Sequence, residues 1–334
     1  ALYLKVGYVR TEKDDHYIRD VFRSRLPDVR YETLDFWGKV YYCKAHYWFY
    51  HMTQDFPRCY RYSERWFDLF QQNEEAVQLH PAEYLKGLHK LLNALFNILH
   101  HRRFREIMAV LERFPAQYDM GKNRNVEGLY YLFWYMHQIK LHFLEGTFSE
   151  GIQLVDPLMK LIQHNTYNWD SRRVLVFYYR IACLYFASGD NGSAIDYLNL
   201  ILNQKNPDYR EDIQSFARIL NLIAHFELGN RQLVEYQVKS VYRFLSKLEE
   251  LNEVQREIFY FIRKTPRMRT DELPEEFERL KEKLVALEDS PFVRRPFLYL
   301  DIISWLESKI EEVPVQDIIR RKFLAREAAR AGTT

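Results

Sequence analysis

A chain of 334 residues in which 47% of residues are hydrophobic and 16% are aromatic can bury a continuous core, so the composition excludes wholesale disorder. With only 11 glycines and 11 prolines it has too few turn residues for a β-sandwich or a barrel, and an all-α fold is favoured. Its 48 basic and 46 acidic side chains leave a net charge of +2, which argues against a protein dedicated to binding nucleic acid.

The cysteines and the start of the chain bear on the cellular compartment. Cys43, Cys59 and Cys183 lie far apart and form neither a disulfide framework nor a CxxC metal-binding pair, which suits a reducing compartment. The longest uncharged apolar run, Leu129 to Ile139, is too short to span a bilayer, and residues 1–5 lack a signal-peptide layout. We therefore expect a cytoplasmic protein. The missing initiator Met leaves two interpretations open: it was removed, or the chain is a fragment of a longer protein.

The first 125 residues are predicted to form helix pairs that diverge from the clearer pattern after them. Leu34 to Met52 is predicted to be one long and unusually aromatic helix. Glu74 to Pro81 is predicted to be a connector, after which apolar residues at three-four spacing indicate another helix. A shorter partner helix, Phe104 to Phe114, is expected to end at Pro115.

Between residues 126 and 248, one short pattern occurs three times: a His or Tyr, a Phe, two variable residues and a Gly. The copies are His142–Gly146, Tyr185–Gly189 and His225–Gly229, and their glycines lie 43 and 40 residues apart. Self-similarity at such a period is the signature of a repeat array. Each Gly falls where a helix end needs a left-handed residue, so each copy is predicted to be the turn of a helix pair. The pairs are Val126–Leu144 with Phe148–Gln163, Ser171–Ala187 with Gly192–Asn203, and Glu211–Leu228 with Gln232–Leu248.

The central copy resembles a tetratricopeptide repeat. Ala182 and Ala194 stand at the small positions where the two helices touch, Gly189 stands at the turn, and Pro207 closes the unit. The period is longer than the family's usual spacing of about 34 residues. The third copy also departs from the family, because it has Val234 where a small residue is expected.

The resemblance implies an architecture for the whole chain. It would be an all-α, tetratricopeptide-like superhelical solenoid of antiparallel helix pairs, forming a single domain over residues 1–334. Within it, residues 1–125 would be divergent helix pairs, 126–248 the clear repeats, and 249–334 irregular C-terminal helices ending in a cap.

In this family the first helix of each pair lines a concave surface, and carrying that surface onto matching positions gives a mostly apolar stripe. One interpretation is a groove for a partner helix or peptide. The other is that the stripe is ordinary core covered by the protein's own terminal helices, since exposed apolar patches are normally small. The clamp of lysines and asparagines that some family members use for a peptide's terminal carboxylate is absent. The stripe comprises Phe133, Met136, Lys140, Phe143, Val176, Tyr179, Cys183, Phe186, Phe216, Ile219, Ile223 and Phe226.

The other candidate sites have simpler explanations. Three side chains stand at equivalent positions of different helix pairs, so they are too far apart to form one metal or acid–base cluster. They are predicted to pack between the two helices of each pair. Three basic stretches are interpreted as solvated turns or helix C-termini rather than phosphate sites. No HExxH, GxSxG, P-loop or dinucleotide fingerprint occurs, so no catalytic residue, metal or cofactor is predicted. The equivalent side chains are His142, Tyr185 and His225, and the basic stretches are His100–Arg105, Arg263–Arg269 and Arg320–Lys322.

These features predict a non-enzymatic scaffold that binds a protein or peptide segment in an apolar, aromatic-rich groove. Nucleic-acid binding and a membrane span are not expected, and the partner and the oligomeric state are not indicated. One alternative is a peptide-sensing regulatory array that controls an output domain, which is an analogy with other members of the family. A third is a helical enzyme, which would need a deep pocket of titratable groups with perturbed pKa values.

Overall fold

The computed structural model of the chain describes residues 7–26, 29–204, 211–245, 253–288 and 301–332. Within these ranges all regular secondary structure is helical, which confirms the all-α prediction. Contacts divide the chain into two compact units, residues 1–141 and 142–334. A single superhelix over the whole chain stays a prediction, and the proposed closing residue Pro207 lies outside the described residues.

The helices of the first unit follow one another with short connections, which include 3-10 helices at Tyr31–Thr33 and Met120–Lys122. The last helix contains the boundary between the units. The helices are α1 Glu12–Arg25, α2 Phe36–Met52, α3 Phe56–Gln71, α4 Glu74–Leu79, α5 Pro81–Asn97, α6 His101–Gln117 and α7 Arg124–Glu145.

The second unit contains the rest of the described helices, with 3-10 helices at Ile152–Leu154, Thr265–Arg267 and Thr270–Glu272. The α-helices are α8 Phe148–Gly151, α9 Val155–Gln163, α10 Ser171–Ser188, α11 Asn191–Leu202, α12 Glu211–Glu227, α13 Arg231–Leu245, α14 Glu253–Lys264, α15 Leu273–Glu288, α16 Ile302–Glu311 and α17 Val315–Ala331.

Side chains that accept a hydrogen bond from the first turn set several helix starts in the first unit. At α2, Asp35 accepts from the Gly38 N–H at 2.7 Å. At α4, Asn73 accepts from the Ala76 N–H at 3.0 Å. Each of these side chains satisfies an N–H that the helix itself leaves without a partner. The cap at Asn73 explains why residues 74–79, which were predicted to be a connector, form a helix.

Two helices that contain a proline differ from the prediction. Helix α6 continues past Pro115 to Gln117, because a proline in the last turn removes a single donor near the helix end. The predicted helix from Phe148 to Gln163 is instead interrupted by a 3-10 helix, Ile152–Leu154. Pro157 stands just inside the α-helix that follows and has no N–H to give to the carbonyl four residues before it, so the backbone there adopts the tighter turn.

Helix α5 is the best-buried helix of the first unit and packs against both α3 and α6. Its leucines at three-four spacing, among them Leu85, Leu88 and Leu92, have no exposed area. The helix predicted from this spacing is therefore confirmed. Because this apolar stripe faces the core, the half-buried Lys86 and Lys90 project from the remaining part of the helix surface.

The three pattern glycines have the conformation predicted for them. Their φ angles are +69° at Gly146, +94° at Gly189 and +71° at Gly229. In each turn the N–H of the residue after the Gly donates to the carbonyl of the first pattern residue, at 3.1, 2.9 and 3.0 Å. This bond closes a helix C-terminus in the Schellman manner, and a left-handed residue is what permits it.

The histidines of the pattern have a role that the sequence did not reveal. His142 Nδ1 shares a hydrogen bond with Thr147 Oγ1 at 2.8 Å, and His225 Nδ1 shares one with the Asn230 side chain at 3.2 Å. Each imidazole thus joins the end of its helix to the turn that follows and stabilises that turn. Tyr185 instead stacks on Tyr197 of α11, with ring centroids 5.6 Å apart, which is the predicted seam packing.

The repeats of the second unit and the helices after them share one hydrophobic core. Helices α10 to α13 pack in chain order, and α14 to α16 extend the same buried cluster, which runs from Leu175 to Leu306. Helix α17 contacts both α10 and α16 and buries Ile318, Ile319 and Phe323. The C-terminal helices therefore pack on the repeats and not only on one another.

Candidate functional site

The predicted groove residues are interior or half-buried, and none of the twelve is exposed. This placement favours the second interpretation of the stripe, in which it belongs to the core. The buried members are Phe133, Lys140, Tyr179, Cys183, Phe186, Phe216, Ile219 and Ile223, and the half-buried members are Met136, Phe143, Val176 and Phe226.

In the second unit, the C-terminal helices cover the stripe at Phe226. Its ring centroid lies 6.4 Å from that of Phe261 on α14, 6.2 Å from Phe277 on α15 and 6.5 Å from Trp305 on α16. All three contacts are edge-to-face, an arrangement that aromatic quadrupoles favour. The chain's own helices therefore occupy the place that was predicted for a partner.

The last pattern copy also holds α16 in place through hydrogen bonds to a charged side chain. Glu227 accepts hydrogen bonds from Trp305 Nε1 at 2.7 Å and from Lys309 Nζ at 2.6 Å. At the first copy, Arg320 of α17 donates to the backbone carbonyl of Glu145 at 3.1 Å. The pattern thus anchors the C-terminal helices as well as closing the helix pairs.

Lys140, predicted as the only charge of the stripe, belongs to a buried polar network. Asn93 Oδ1 accepts a hydrogen bond from its ammonium, which also lies 4.5 Å from the centroid of the Phe96 ring. The Asn93 side chain bonds His89, and His89 Nδ1 shares a hydrogen bond with His137 Nε2 at 2.9 Å. A buried charge needs such partners, so the network accounts for a lysine that is only 3% exposed.

A second surface, which was not among the predicted sites, lies on α2 and α5. Trp37, Tyr41, Lys44 and Trp48 follow one another at intervals of four, three and four residues, so they share one face of α2. Tyr41 is 61% exposed, and the other three are half-buried. With Glu83, Lys86 and Lys90 of α5, these four side chains form a surface that we call the aromatic–lysine face.

Two lysines of this face share one carboxylate. Glu83 accepts from Lys44 Nζ at 2.7 Å and from Lys86 Nζ at 2.6 Å. Burial raises the pKa of Glu83, but the hydrogen bonds from the two ammoniums outweigh it, and the net shift is downward. Glu83 is therefore ionised at neutral pH, and its single carboxylate forms ion pairs with two ammoniums.

Lys90 has aromatic neighbours in place of an acidic one. Its Nζ lies 4.3 Å from the Trp48 ring centroid and 5.5 Å from that of Tyr47. No hydrogen bond or ion pair joins this ammonium to any of the described residues. The pKa of Lys90 is lowered to about 8, mainly by burial; Cys59 acts to raise it, and the charge of Lys44 acts to lower it.

The three cysteines are buried and form no disulfide. Burial raises the pKa of Cys43 to about 11 and that of Cys183 to about 12, and it raises the pKa of Cys59 as well. Because the thiolate is the reactive form, we expect iodoacetamide at pH 8 to leave all three unmodified in the folded protein. Mass spectrometry should find three adducts only after unfolding in guanidinium; rapid labelling of the folded chain would contradict the burial.

The basic stretches seen in the sequence lie beside acidic groups. Arg103 is 3.3 Å from Glu64 and 2.9 Å from Glu106. Near the C-terminus, Arg321 is 2.6 Å from Glu311. Because these arginines already have carboxylate partners at the surface, the arrangement favours solvated turns over phosphate sites.

Across the residues that the structure describes, no group of three or more His, Cys, Asp or Glu side chains is arranged to hold a metal ion. In the same residues, no helix combines the length and the apolar character needed to cross a membrane. Comparison of the chain with models of protein families, with curated proteins and with solved structures found no match.

Proposed function

We propose that the chain is a non-enzymatic interaction array of tetratricopeptide-like helix pairs and that it binds a protein or peptide segment at the aromatic–lysine face. The supporting observation is the composition of that face: Trp37, Tyr41 and Trp48 are at least partly open to solvent, and Lys90 is a cation without an acidic neighbour. Aromatic side chains of this kind are enriched where partners bind, because they bury a large area with few rotatable bonds.

The charges of the face argue for an acidic partner. Lys44, Lys86 and Lys90 contribute three positive charges, while Glu83 contributes one negative charge. A segment that carries carboxylates and apolar side chains would complement both the charge and the rings. Because rigid helices present the face, the receptor would lose little conformational freedom on binding.

We assign this function to a reducing, cytoplasmic compartment. The assignment rests on the three buried cysteines, which form no disulfide and are not grouped for metal binding. Cytoplasmic and nuclear proteins keep their thiols reduced, whereas exported proteins of comparable cysteine content tend to form disulfides.

The test uses peptides selected from a random linear library against the intact chain, with affinities then measured by fluorescence anisotropy. Tyr41→Ser should weaken the selected peptides by roughly tenfold or more, as expected for an exposed aromatic residue at the centre of an interface. Thermal unfolding of the variant should match that of the original protein, because Tyr41 is 61% exposed.

The matched control is Tyr236→Ser. Tyr236 is 76% exposed on α13 and lies far from α2 in the chain, so its loss should leave the affinities unchanged. If Tyr41→Ser binds every selected peptide as well as the original protein does, the aromatic–lysine face is not the binding site and the proposal fails.

A further inference from the structure

Resting on the function proposed above, we infer that the partner segment carries two carboxylate side chains about one helical turn apart, and that Lys86 and Lys90 bind them. The occupant is therefore an acidic stretch of a protein, in which apolar side chains beside the carboxylates contact Trp48 and Tyr41. Lys90 is the residue that selects for acid, since it is the ammonium of the face without a counter-charge among the described residues.

The spacing of Lys86 and Lys90 along α5 suits a pair of carboxylates. Lys86 and Lys90 stand four residues apart on α5, so their side chains leave the same face of the helix roughly 6 Å from each other. Carboxylates four residues apart on a helix, or two apart on an extended segment, have a similar separation. One acidic pair can therefore reach both lysines.

Before a partner binds, neither lysine has a carboxylate of its own within the part of the chain that the structure describes. Lys86 and Lys44 both bind the carboxylate of Glu83, so one negative charge is shared between two ammoniums. Lys90 has the electron-rich faces of Trp48 and Tyr47, which attract a cation but accept no strong hydrogen bond from it. An incoming pair of carboxylates would give Lys90 the charge-assisted hydrogen bond that it lacks and would give Lys86 a counter-charge in addition to Glu83.

Binding of a carboxylate to Lys90 should depend on pH. The groups that face Lys90 are Lys44 and Trp48 of α2, Tyr47 of the same helix, and Cys59 of α3. Burial raises the pKa of the Cys59 thiol, whereas it lowers that of Lys90 to about 8. A bound carboxylate would raise the pKa of Lys90, so binding would be strongest below about pH 8 and would weaken as the pH rises beyond it.

The experiment selects binders from the random peptide library at pH 7 and compares the enriched sequences for the original chain and for Lys90→Gln. The original chain should enrich Asp and Glu in pairs spaced by four or by two. Lys90→Gln should lose that enrichment and bind the acidic peptides at least roughly tenfold more weakly. Lys90→Arg should restore binding and abolish the weakening above pH 8, because a guanidinium stays charged there.

The control for loss of charge is Lys122→Gln, since Lys122 is an exposed lysine of the same unit outside the face. It should leave both enrichment and affinity unchanged. Peptides that depend on Tyr41 but show no acidic pairs and no sensitivity to Lys90→Gln would overturn this inference while leaving the proposed function intact. Peptides insensitive to Tyr41→Ser would overturn both.

A short single-stranded DNA oligomer serves as the second probe, because its bases could stack on the rings and its phosphates could reach the lysines. The inference requires that the acidic peptides bind and that the oligomer does not compete with them at equal concentration. Lys90-dependent binding of the oligomer without enrichment of acidic peptides would assign the face to nucleic acid instead.

Discussion

Replacing Trp305 with alanine should lower the free energy of unfolding by about 3–5 kcal/mol, the range found for large aromatic residues removed from a core. Trp305 is only 1% exposed, and its ring centroid lies 5.9 Å from that of Phe277. Its loss would leave a cavity among α12, α15 and α16, and Glu227 would lose the indole N–H that donates to it at 2.7 Å. Guanidinium unfolding followed by circular dichroism measures the change.

The matched control for Trp305→Ala is Tyr236→Ala. Tyr236 is an aromatic residue of the same unit that is 76% exposed, so its removal should change stability by no more than about 0.5 kcal/mol. Equal effects of the two substitutions would show that α16 does not pack on the repeats in solution. In that case the stripe around Phe226 would again be open to a partner.

The helix turns of the second unit could be predicted from the sequence because they follow from local rules. A glycine that ends a helix in the left-handed region, followed by a side chain that caps the next helix, is visible within a few residues. At the central copy, Gly189 has φ of +94° and Asp190 accepts from the Ser193 N–H at 2.9 Å. Neither feature depends on what packs against the pair from elsewhere.

What covers an apolar face could not be predicted, because a pattern on one helix indicates which side is apolar but not which element packs there. The stripe that includes Phe226 has the same spacing whether it faces a groove or a core. The outcome depends on Phe277 and Trp305, which lie far downstream in helices without the repeat pattern. The burial of Lys140 likewise depends on Asn93, 47 residues earlier in the chain.

The aromatic–lysine face was partly visible in the sequence. The spacing of Trp37, Tyr41 and Trp48 places them on one side of α2, whereas the resemblance to tetratricopeptide repeats indicated a binding surface on later helices. The charge balance was not visible, because Lys44 pairs with Glu83, 39 residues away on another helix. Lys86 shares a carboxylate with Lys44, whereas Lys90 lies beside Trp48. This difference arises only from side-chain contacts between α5 and α2, which are far apart in the sequence.

The second large effect is expected from Gly146→Ala, which should destabilise the protein by about 2–5 kcal/mol. Part of this is the cost of about 1–2 kcal/mol for placing a residue with a Cβ in the left-handed region, since Gly146 has φ of +69°. The rest arises because the added Cβ would lie only 2.8 Å from the Arg320 Cα and even closer to its backbone nitrogen. Helix α17 would have to move, as in other overpacked cores, at a cost of about 1–3 kcal/mol.

Gly229→Ala separates the two contributions to the Gly146→Ala effect. Its φ of +71° is nearly the same, but nothing lies within 4 Å of the added Cβ, so only the conformational cost of about 1–2 kcal/mol should appear. The difference between the two variants in guanidinium unfolding therefore measures the docking of α17 on the first turn. Hydrogen exchange should become faster across Val315–Ala331 in Gly146→Ala alone. Equal losses of stability would mean that α17 does not rest on Gly146, and the anchoring role inferred for the first pattern copy would be wrong.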